Sequence, residues 1–372
     1  MKPELKNLVE SYLQQVRTDK HFENQPQNAV NKFRITPLSP DGSDRLYFRI
    51  AAPGITSFIA VDATGCGDQD KNSGLSQNNS FRLIHEHLAK LSFPVPQYLS
   101  GKTAGDDLYL LEDLGDTTLH NFVKTYGWSR RTLSLYRKAI SLLQRLQIDA
   151  ATGFNPDWAY AGAFYDYELI VERELNYFLE AFVINYCRIE LSTAAKVDLA
   201  EEFKLLADTA LQAPADFFLY RDFQSKNLML FQDEIFLLDF QGARLGPACY
   251  DLAALINDPY TEMPLPLRQE LQEFYYDQLK LANPAAAIQT APETFAFNFA
   301  LFSLIRTLQT LGAFGYLTRC GKTHFAQYIR PALTNFSLYL ELLQKRNSSY
   351  RLKGLNLINH KIELWQKSLC SR

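Results

Sequence analysis

Residues 219–230 read LYRDFQSKNLML, and residues 235–243 read IFLLDFQGA. An apolar run ends at Arg221-Asp222, Asn227 stands at the far end of a short loop, and a second apolar run ends at Asp239. The stretches NLMLF and EIFLLDF, with QDE at the turn, predict a strand hairpin between Asn227 and Asp239. An Asp that follows an apolar strand emerges at the rim of a cleft. Asn227 then faces the same cleft, and the hairpin returns the chain so that Asp239 ends beside the loop.

Two carboxylates and an amide in this pattern point to a metal and a proton acceptor. Phosphoryl transfer from ATP asks for little more: positioned phosphates, a divalent metal to neutralise them, and a group that orients or accepts the proton of the attacking hydroxyl. Mg2+ prefers hard oxygen ligands and keeps several waters, so one carboxylate and one amide oxygen suffice from the protein. Asp222 is the candidate base or hydroxyl orienter, and Asn227 and Asp239 are the candidate metal ligands. A lone Asp before a loop is more often a turn or capping residue. The joint pattern of strand, Asp, loop, Asn, hairpin and Asp is far more restrictive.

The rest of the chain bounds this reading. Its 372 residues fit two lobes at the usual ~100–200 residues each. A 47% hydrophobic composition supports a large core, and a formal charge of -3 gives no global attraction to nucleic acid or to an anionic membrane. The five cysteines form no CxxC pair and are odd in number, which suits a reducing cytosol rather than a disulfide framework or a zinc site. The N-terminus has no apolar signal core; Leu5, Leu8, Val9, Leu13 and Val16 fall at helical spacing instead. No apolar run approaches the ~18–20 residues that span a bilayer. The expectation is a cytoplasmic protein, taken as a monomer.

Along the chain, FRITPLSPDGSDRLYFRI reads as strand, turn, strand, and SFIAVDAT as a third strand. SFRLIHEHLAKLS is an amphipathic helix with Phe81, Ile84 and Leu88 on one face and Ser80 as its candidate N-cap. Two more strands follow, the second being LYLLED. From Thr117 the pattern turns helical, with candidates at 117–126, 129–149, 162–186, 192–211, 250–257, 265–281, 293–316 and 325–345. The expected fold is α+β and two-lobed. A small β-rich lobe covers 1–112, a hinge covers 113–116, and a larger helical lobe covers 117–372.

YRDFQSKN…LLDFQGA resembles the catalytic and metal-binding segments of protein-kinase-like phosphotransferases, in the small-molecule branch with aminoglycoside phosphotransferases and choline kinases. Tyr220 stands where that family usually has His, a scaffold position, and Gln241 follows Asp239-Phe240. The blocks ITPLSPDGSDRLYFRI, LYLLEDLGDTTL, LLDFQGARLGPACYDLAALI and LIRTLQTLGAFGYLTRCGKTHFAQYIRPAL extend the resemblance from about residue 33 to 335. Together they are similar to bacterial sugar kinases of cell-wall recycling. That resemblance implies ATP and Mg2+ as cofactors and the anomeric hydroxyl of N-acetylmuramate or N-acetylglucosamine as acceptor. An aminoglycoside or choline kinase and a nucleotide-binding pseudokinase are the rivals.

Kinase-like folds usually carry a Lys on the third strand. FIAVDAT has none, which favours the pseudokinase, whereas the intact Asp222, Asn227 and Asp239 favour an enzyme. The sugar kinases that the chain resembles also lack this Lys, so another cation takes its place; Arg45, Arg49 and Lys71 are the candidates. The turn Ser39–Arg45, with Ser43 and Gly42, occupies the place of a phosphate-covering loop. The backbone from Glu112 to Leu114 is the candidate adenine contact.

The acceptor is expected between the catalytic loop and the C-terminal helices, with Gln224, Arg306 and Gln309 as candidate contacts. From Phe295 to Asn335 the chain carries Arg306, Arg319, Lys322 and Arg330 but no Asp or Glu. This suits a neutral or anionic sugar better than a polycation. Each of these residues is, taken alone, more often a solvated helix residue. Asp166, Glu168, Glu172 and Glu174 are carboxylates that also could reach the pocket. Asp251, at a helix start, is expected to brace the catalytic loop through backbone N–H bonds. His85 and His87 lie on different helix faces and predict no metal site. Phe299, Phe302 and Phe314 read as core, and KRNSSYRLKG near the C-terminus reads as a solvated surface.

Overall fold

The computed structural model describes residues 1–19, 33–38, 45–65, 75–101, 107–282, 291–347 and 350–370. They form two compact units. The first takes Met1–Thr117, Phe154–Ala163 and Leu228–Ala243; the second takes Thr118–Gly153, Phe164–Asn227 and Arg244–Arg372. The first unit therefore draws on three stretches of chain rather than ending at a single cut at 113–116.

The first unit is built on an antiparallel sheet of β1 (Arg34–Leu38), β2 (Leu46–Ala52), β3 (Ile55–Asp62), β4 (Tyr98–Ser100) and β5 (Leu108–Glu112), in the order β1-β2-β3-β5-β4. Side chains alternate between its faces. One face turns Phe48, Ile50, Phe58, Ala60 and Leu110 toward Leu5, Val9 and Leu13, one stripe of helix α1 (Pro3–Asp19) at spacing i, i+4, i+8. The helix α2 (Gln77–Lys90) contributes Phe81, whose ring stacks on Tyr109 at 6.1 Å and on Phe240 at 4.7 Å. The N-cap of α2 is Ser76, which accepts from the Asn79 N–H, and not Ser80. The helix begins a turn earlier than its apolar periodicity shows, and buried Ser80 donates instead to the Gln241 carbonyl. His85 bonds the Pro96 carbonyl at 2.7 Å, and His87 packs on Phe154 and Trp158.

The predicted hairpin is present as β7 (Leu228–Phe231) and β8 (Glu234–Leu237), joined through Gln232 and Asp233, both at positive φ. Two left-handed residues are what a tight hairpin turn needs to match strand twist. Backbone bonds from Leu230 N–H to the Thr117 carbonyl and from Leu237 N–H to the Pro94 carbonyl seat the hairpin in the first unit.

The second unit is helical, with a short pair of strands, β6 (Phe217–Leu219) and β9 (Arg244–Gly246). Its helices are α3 (Leu119–Tyr126), α4 (Arg130–Asp149), α5 (Thr193–Ala210), α6 (Ala248–Ile256), α7 (Leu265–Ala282), α8 (Pro292–Arg319), α9 (Ile329–Arg346) and α10 (Lys353–Cys370). Thr118, Ser129 and Ser192 cap α3, α4 and α5 by accepting from the N3 amide. The predicted helix over 162–186 instead comprises two π-helical stretches, Leu169–Leu175 and Phe178–Ile184. They lie against α8, where a Cβ at Gly312 would sit 2.8 Å from Tyr177 and one at Gly315 3.1 Å from the Phe182 Cα. Phe299, Phe302 and Phe314 are core residues. The stretch around 345–354 is not wholly solvated: Tyr350 and Leu352 are buried, and Glu202 accepts from the Gly354 and Leu355 N–H groups at the start of α10. No helix among the described residues is long and apolar enough to cross a membrane. Cys187, Cys249 and Cys320 are free thiols.

Candidate active site

The catalytic loop leaves buried β6 at Tyr220 and turns sharply. Arg221 has φ 81, a left-handed conformation that costs a non-glycine residue roughly 1 kcal/mol or more unless its surroundings hold it. Asp251, in the first turn of α6, holds it. Its two carboxylate oxygens accept from the Tyr220 N–H at 2.6 Å and the Arg221 N–H at 2.8 Å. Asp251 is fully buried, and burial pushes its carboxyl up to about 7, although the two N–H donors and Arg306 draw it back toward the ionised form.

A second buried carboxylate clamps the other end of the loop. Asp258 accepts from the backbone N–H and hydroxyl of Ser225 and from the Tyr260 N–H. Burial raises its carboxyl as well. Asp258 is absent from the sequence-based expectations. It lies just past the C-terminal end of α6, whose C-cap is Asn257, and no local pattern marks it. Between the clamps the loop closes on itself, with the Gln224 N–H donating to the Asp222 carbonyl and the Asn227 N–H to the Gln224 carbonyl. The Asn227 side-chain amide donates to the Asp222 carbonyl at 2.9 Å, which leaves its own oxygen as a hard ligand.

Asp222 is thus presented on a rigid turn with its side chain 33% exposed. Its Oδ1 accepts from Arg306 Nη2 at 2.8 Å, across 84 residues of sequence. Arg306 of α8 is buried, donates also to Gln309, and lies 5.6 Å from the centre of the Tyr250 ring. Behind it stands Glu174, carried on the first π-helical stretch, 2% exposed and held by the hydroxyls of Tyr165 and Tyr250. Burial pushes the Glu174 carboxyl up; the tyrosine hydroxyls and Arg306 oppose that. Burial works against the Arg306 charge too, yet Tyr250, Asp222 and Glu174 together hold the guanidinium above its usual range. Arg306 is therefore the orienter of Asp222. Arg306→Lys is expected to lower kcat about tenfold, because an ammonium lacks the planar fork that serves Asp222 and Gln309 together. Steady-state kinetics against a fold check by circular dichroism measures it.

In the first unit, Asp239 is exposed and has φ 62. Gln241 Nε2 donates to its Oδ1 at 2.6 Å, so Gln241 orients the carboxylate. Phe240 is buried on Phe81, and Ser80 pins the Gln241 carbonyl, which fixes the segment on both sides of Asp239. The exposed carboxylate of Asp239 and the amide oxygen of Asn227 are hard donors. Among the described residues no three His, Cys, Asp or Glu side chains cluster as a metal cage. Asp239 and Asn227, each taken by itself, offer the kind of hard oxygen donor that Mg2+ accepts, an ion that needs few protein ligands.

The expected nucleotide residues are placed as follows. Arg45 is 2% exposed, bonded to the Asn78 side chain and stacked over Phe81. Arg49 bonds Asp113, Asp116 and the Gly115 carbonyl, so it braces the 113–116 segment. Partial burial opposes the Asp113 charge, but the Ser57 hydroxyl and Arg49 hold its carboxyl below the usual range. The Glu112 N–H is committed to the Gln97 carbonyl, and Leu114 is buried. Ser43 and Lys71 lie outside the described residues.

A five-stranded antiparallel sheet with an Asp-ended hairpin in one unit, and a helical second unit bearing an Asp–loop–Asn turn, is the protein-kinase-like phosphotransferase architecture. Solved structures share it. Choline kinase from Cryptosporidium parvum Iowa II has a TM-score of 0.58 at 13% identity, covering 95% of this chain and 99% of that one. Amicoumacin kinase hAmiN, solved with AMP-PNP, Ca2+ and amicoumacin, has a TM-score of 0.52 at 12% identity, covering 80% and 87%. The chain belongs to the phosphotransferase enzyme family, whose profile matches residues 34–283. It is a phosphotransferase with a hydroxyl group as acceptor. It is 28% identical over 320 residues to the N-acetylmuramate/N-acetylglucosamine kinase of Neisseria meningitidis, covering 84% of this chain and 86% of the relative.

Proposed function

We propose that the chain is an ATP- and Mg2+-dependent kinase that phosphorylates the anomeric hydroxyl of an amino sugar such as N-acetylmuramate or N-acetylglucosamine, in cytoplasmic cell-wall sugar recycling. The observation that carries the reading is the mounting of Asp222. Its carboxylate is part-exposed at the head of a turn clamped by Asp251 and Asp258, and Arg306 aims it. Similarity to sugar kinases over most of the chain supports the acceptor class.

In this mechanism Asp222 Oδ2 faces the attacking hydroxyl and orients or takes its proton. Arg306, held through Oδ1, keeps the carboxylate turned to that task and stabilises its charge. Gln309, tied to Arg306, and Gln224 of the loop border the acceptor. Asn227 and Asp239 would hold Mg2+, which supplies charge neutralisation for the phosphates. The backbone at Glu112–Leu114 and Ser43 would serve the nucleotide, with Arg49 acting by bracing the 113–116 segment through Asp113 and Asp116 and Arg45 by holding Asn78 rather than by offering an open cation.

Phosphorus NMR of the product after incubation with ATP, Mg2+ and each sugar tests the reading. The expected result is a sugar phosphate with coupling to the anomeric proton. Turnover confined to choline or aminoglycosides would reject the sugar acceptor. Calorimetric ATP binding without turnover on any acceptor would make the chain a pseudokinase.

A further inference from the structure

The catalytic loop has a third attachment beyond its two aspartate clamps. Lys226, immediately before Asn227, places its ammonium over three aromatic rings: 4.0 Å from the centre of Tyr260, 5.1 Å from Tyr328 and 5.5 Å from Phe325. A cation within about 6 Å of a ring centre is attracted by the ring quadrupole, and three rings converging on one ammonium make a cage. The cage is preformed. Tyr260 and Tyr328 meet edge to face at 4.6 Å, and His120 of α3 packs edge-on against both. Phe314 of α8 backs Tyr260 at 5.6 Å and Phe325 at 5.7 Å. The buried carboxylate of Asp258 adds a favourable charge, since it interacts electrostatically with Lys226. An exposed lysine ordinarily leaves its ammonium in water; this one is drawn into a built site.

We propose that Tyr260, Tyr328 and Phe325 form a cation site of the alkylammonium class, that the Lys226 ammonium is its resident occupant, and that this occupancy positions the catalytic loop. Lys226 is a positioning residue: it acts through Asn227 and Asp222, not on the substrate. A filled cage also presents like charge to an amine-bearing acceptor arriving at the loop, which agrees with a sugar acceptor. The positioning half rests on the kinase reading above; the cation site does not.

The test separates the two. Tetramethylammonium chloride is titrated by calorimetry into the full-length wild type, Lys226→Ala and the double variant Lys226→Ala/Tyr260→Leu, with sodium chloride matching ionic strength. Lys226→Ala is expected to bind saturably with Kd on the order of millimolar, the wild type about tenfold more weakly or worse, and the double variant as weakly as the wild type. Equal binding to wild type and Lys226→Ala, or none to Lys226→Ala, overturns the site. In kinetics with the sugar substrate, Lys226→Met and Lys226→Ala are expected to lose about tenfold in kcat with KM for ATP within about twofold. Lys226→Arg keeps most activity, and tetramethylammonium restores part of the Lys226→Ala rate but leaves the wild type unchanged. An unaltered kcat in Lys226→Met, or equal restoration by sodium chloride, overturns the positioning role. If the wild type turns over no sugar, the kinase reading fails while the calorimetry still decides the site. Hydrogen exchange of residues 222–227 in Lys226→Met then decides positioning, with faster exchange expected and unchanged exchange overturning it. Should Lys226→Ala not fold, Lys226→Ser, which also leaves the cage empty, carries the same titration.

Discussion

Asp222→Asn is expected to cut kcat by about 100- to 10,000-fold while ATP affinity stays within about twofold. The amide keeps the shape of the carboxylate and can still accept from Arg306 Nη2, so the loop geometry survives. It cannot take a proton, and it no longer offers negative charge beside the nucleophile. Arg306 retains Glu174 behind it, so the substitution does not strand a buried cation, and melting temperature should move little. Sugar turnover by coupled assay, nucleotide binding by calorimetry and thermal denaturation measure the three quantities. A near-normal kcat would remove Asp222 from the chemistry.

Asp251→Asn is expected to strike stability and activity together. The wild-type carboxylate serves two buried N–H groups with two oxygens. Asparagine offers one oxygen and turns an NH2 toward the other donor. One buried N–H without a partner costs about 1–3 kcal/mol, and the left-handed Arg221 loses its support. Turnover should fall as the loop loosens. The pH dependence adds a signature. The Asp251 carboxyl rises from an ordinary 3.8 to about 7 in the folded chain. Between those values the folded state binds a proton that the unfolded state has released, so this group's contribution to stability is full below pH 3.8 and is lost as pH rises to about 7. Chemical denaturation at several pH values should show wild-type stability falling across this window. The fall should be shallower in Asp251→Asn, with Glu174 and Asp258, both also raised, supplying the remainder. An identical slope in both proteins would show that Asp251 does not titrate there.

Local pattern and long-range pairing divide what was legible in the sequence. The strands, most helices and the Asp222–Asn227–Asp239 hairpin pattern depend on periodicity and turn chemistry within one continuous stretch of chain, and they stand out in it. The brace by Asp251 was legible because a helix-start Asp has few other uses. The role of Arg306 was not. It was expected at the acceptor, but its partner Asp222 lies 84 positions away, and no local pattern encodes that ion pair. Glu174 looked like a pocket carboxylate until its two tyrosine partners, nine and 76 positions away, showed it buried. The π-helical stretches escaped because the apolar spacing of 162–186 fits an α-helix equally well; the close approach permitted by Gly312 and Gly315 comes from another helix. Arg45 read as an open cation because its neighbour Asn78 sits on α2, beyond a polar connection.

The first unit's three-part construction has a consequence for synthesis on the ribosome. Its sheet is complete in sequence by residue 112, but Phe240, the ring that covers Phe81, and Trp158, which covers His87, are translated much later. The unit closes only when residue 243 of 372 has left the exit tunnel. A nascent chain halted earlier carries bare aromatic surface and an unseated hairpin partner. A fragment ending at Thr117 would therefore leave Phe81 and His87 without the rings that cover them in the whole chain.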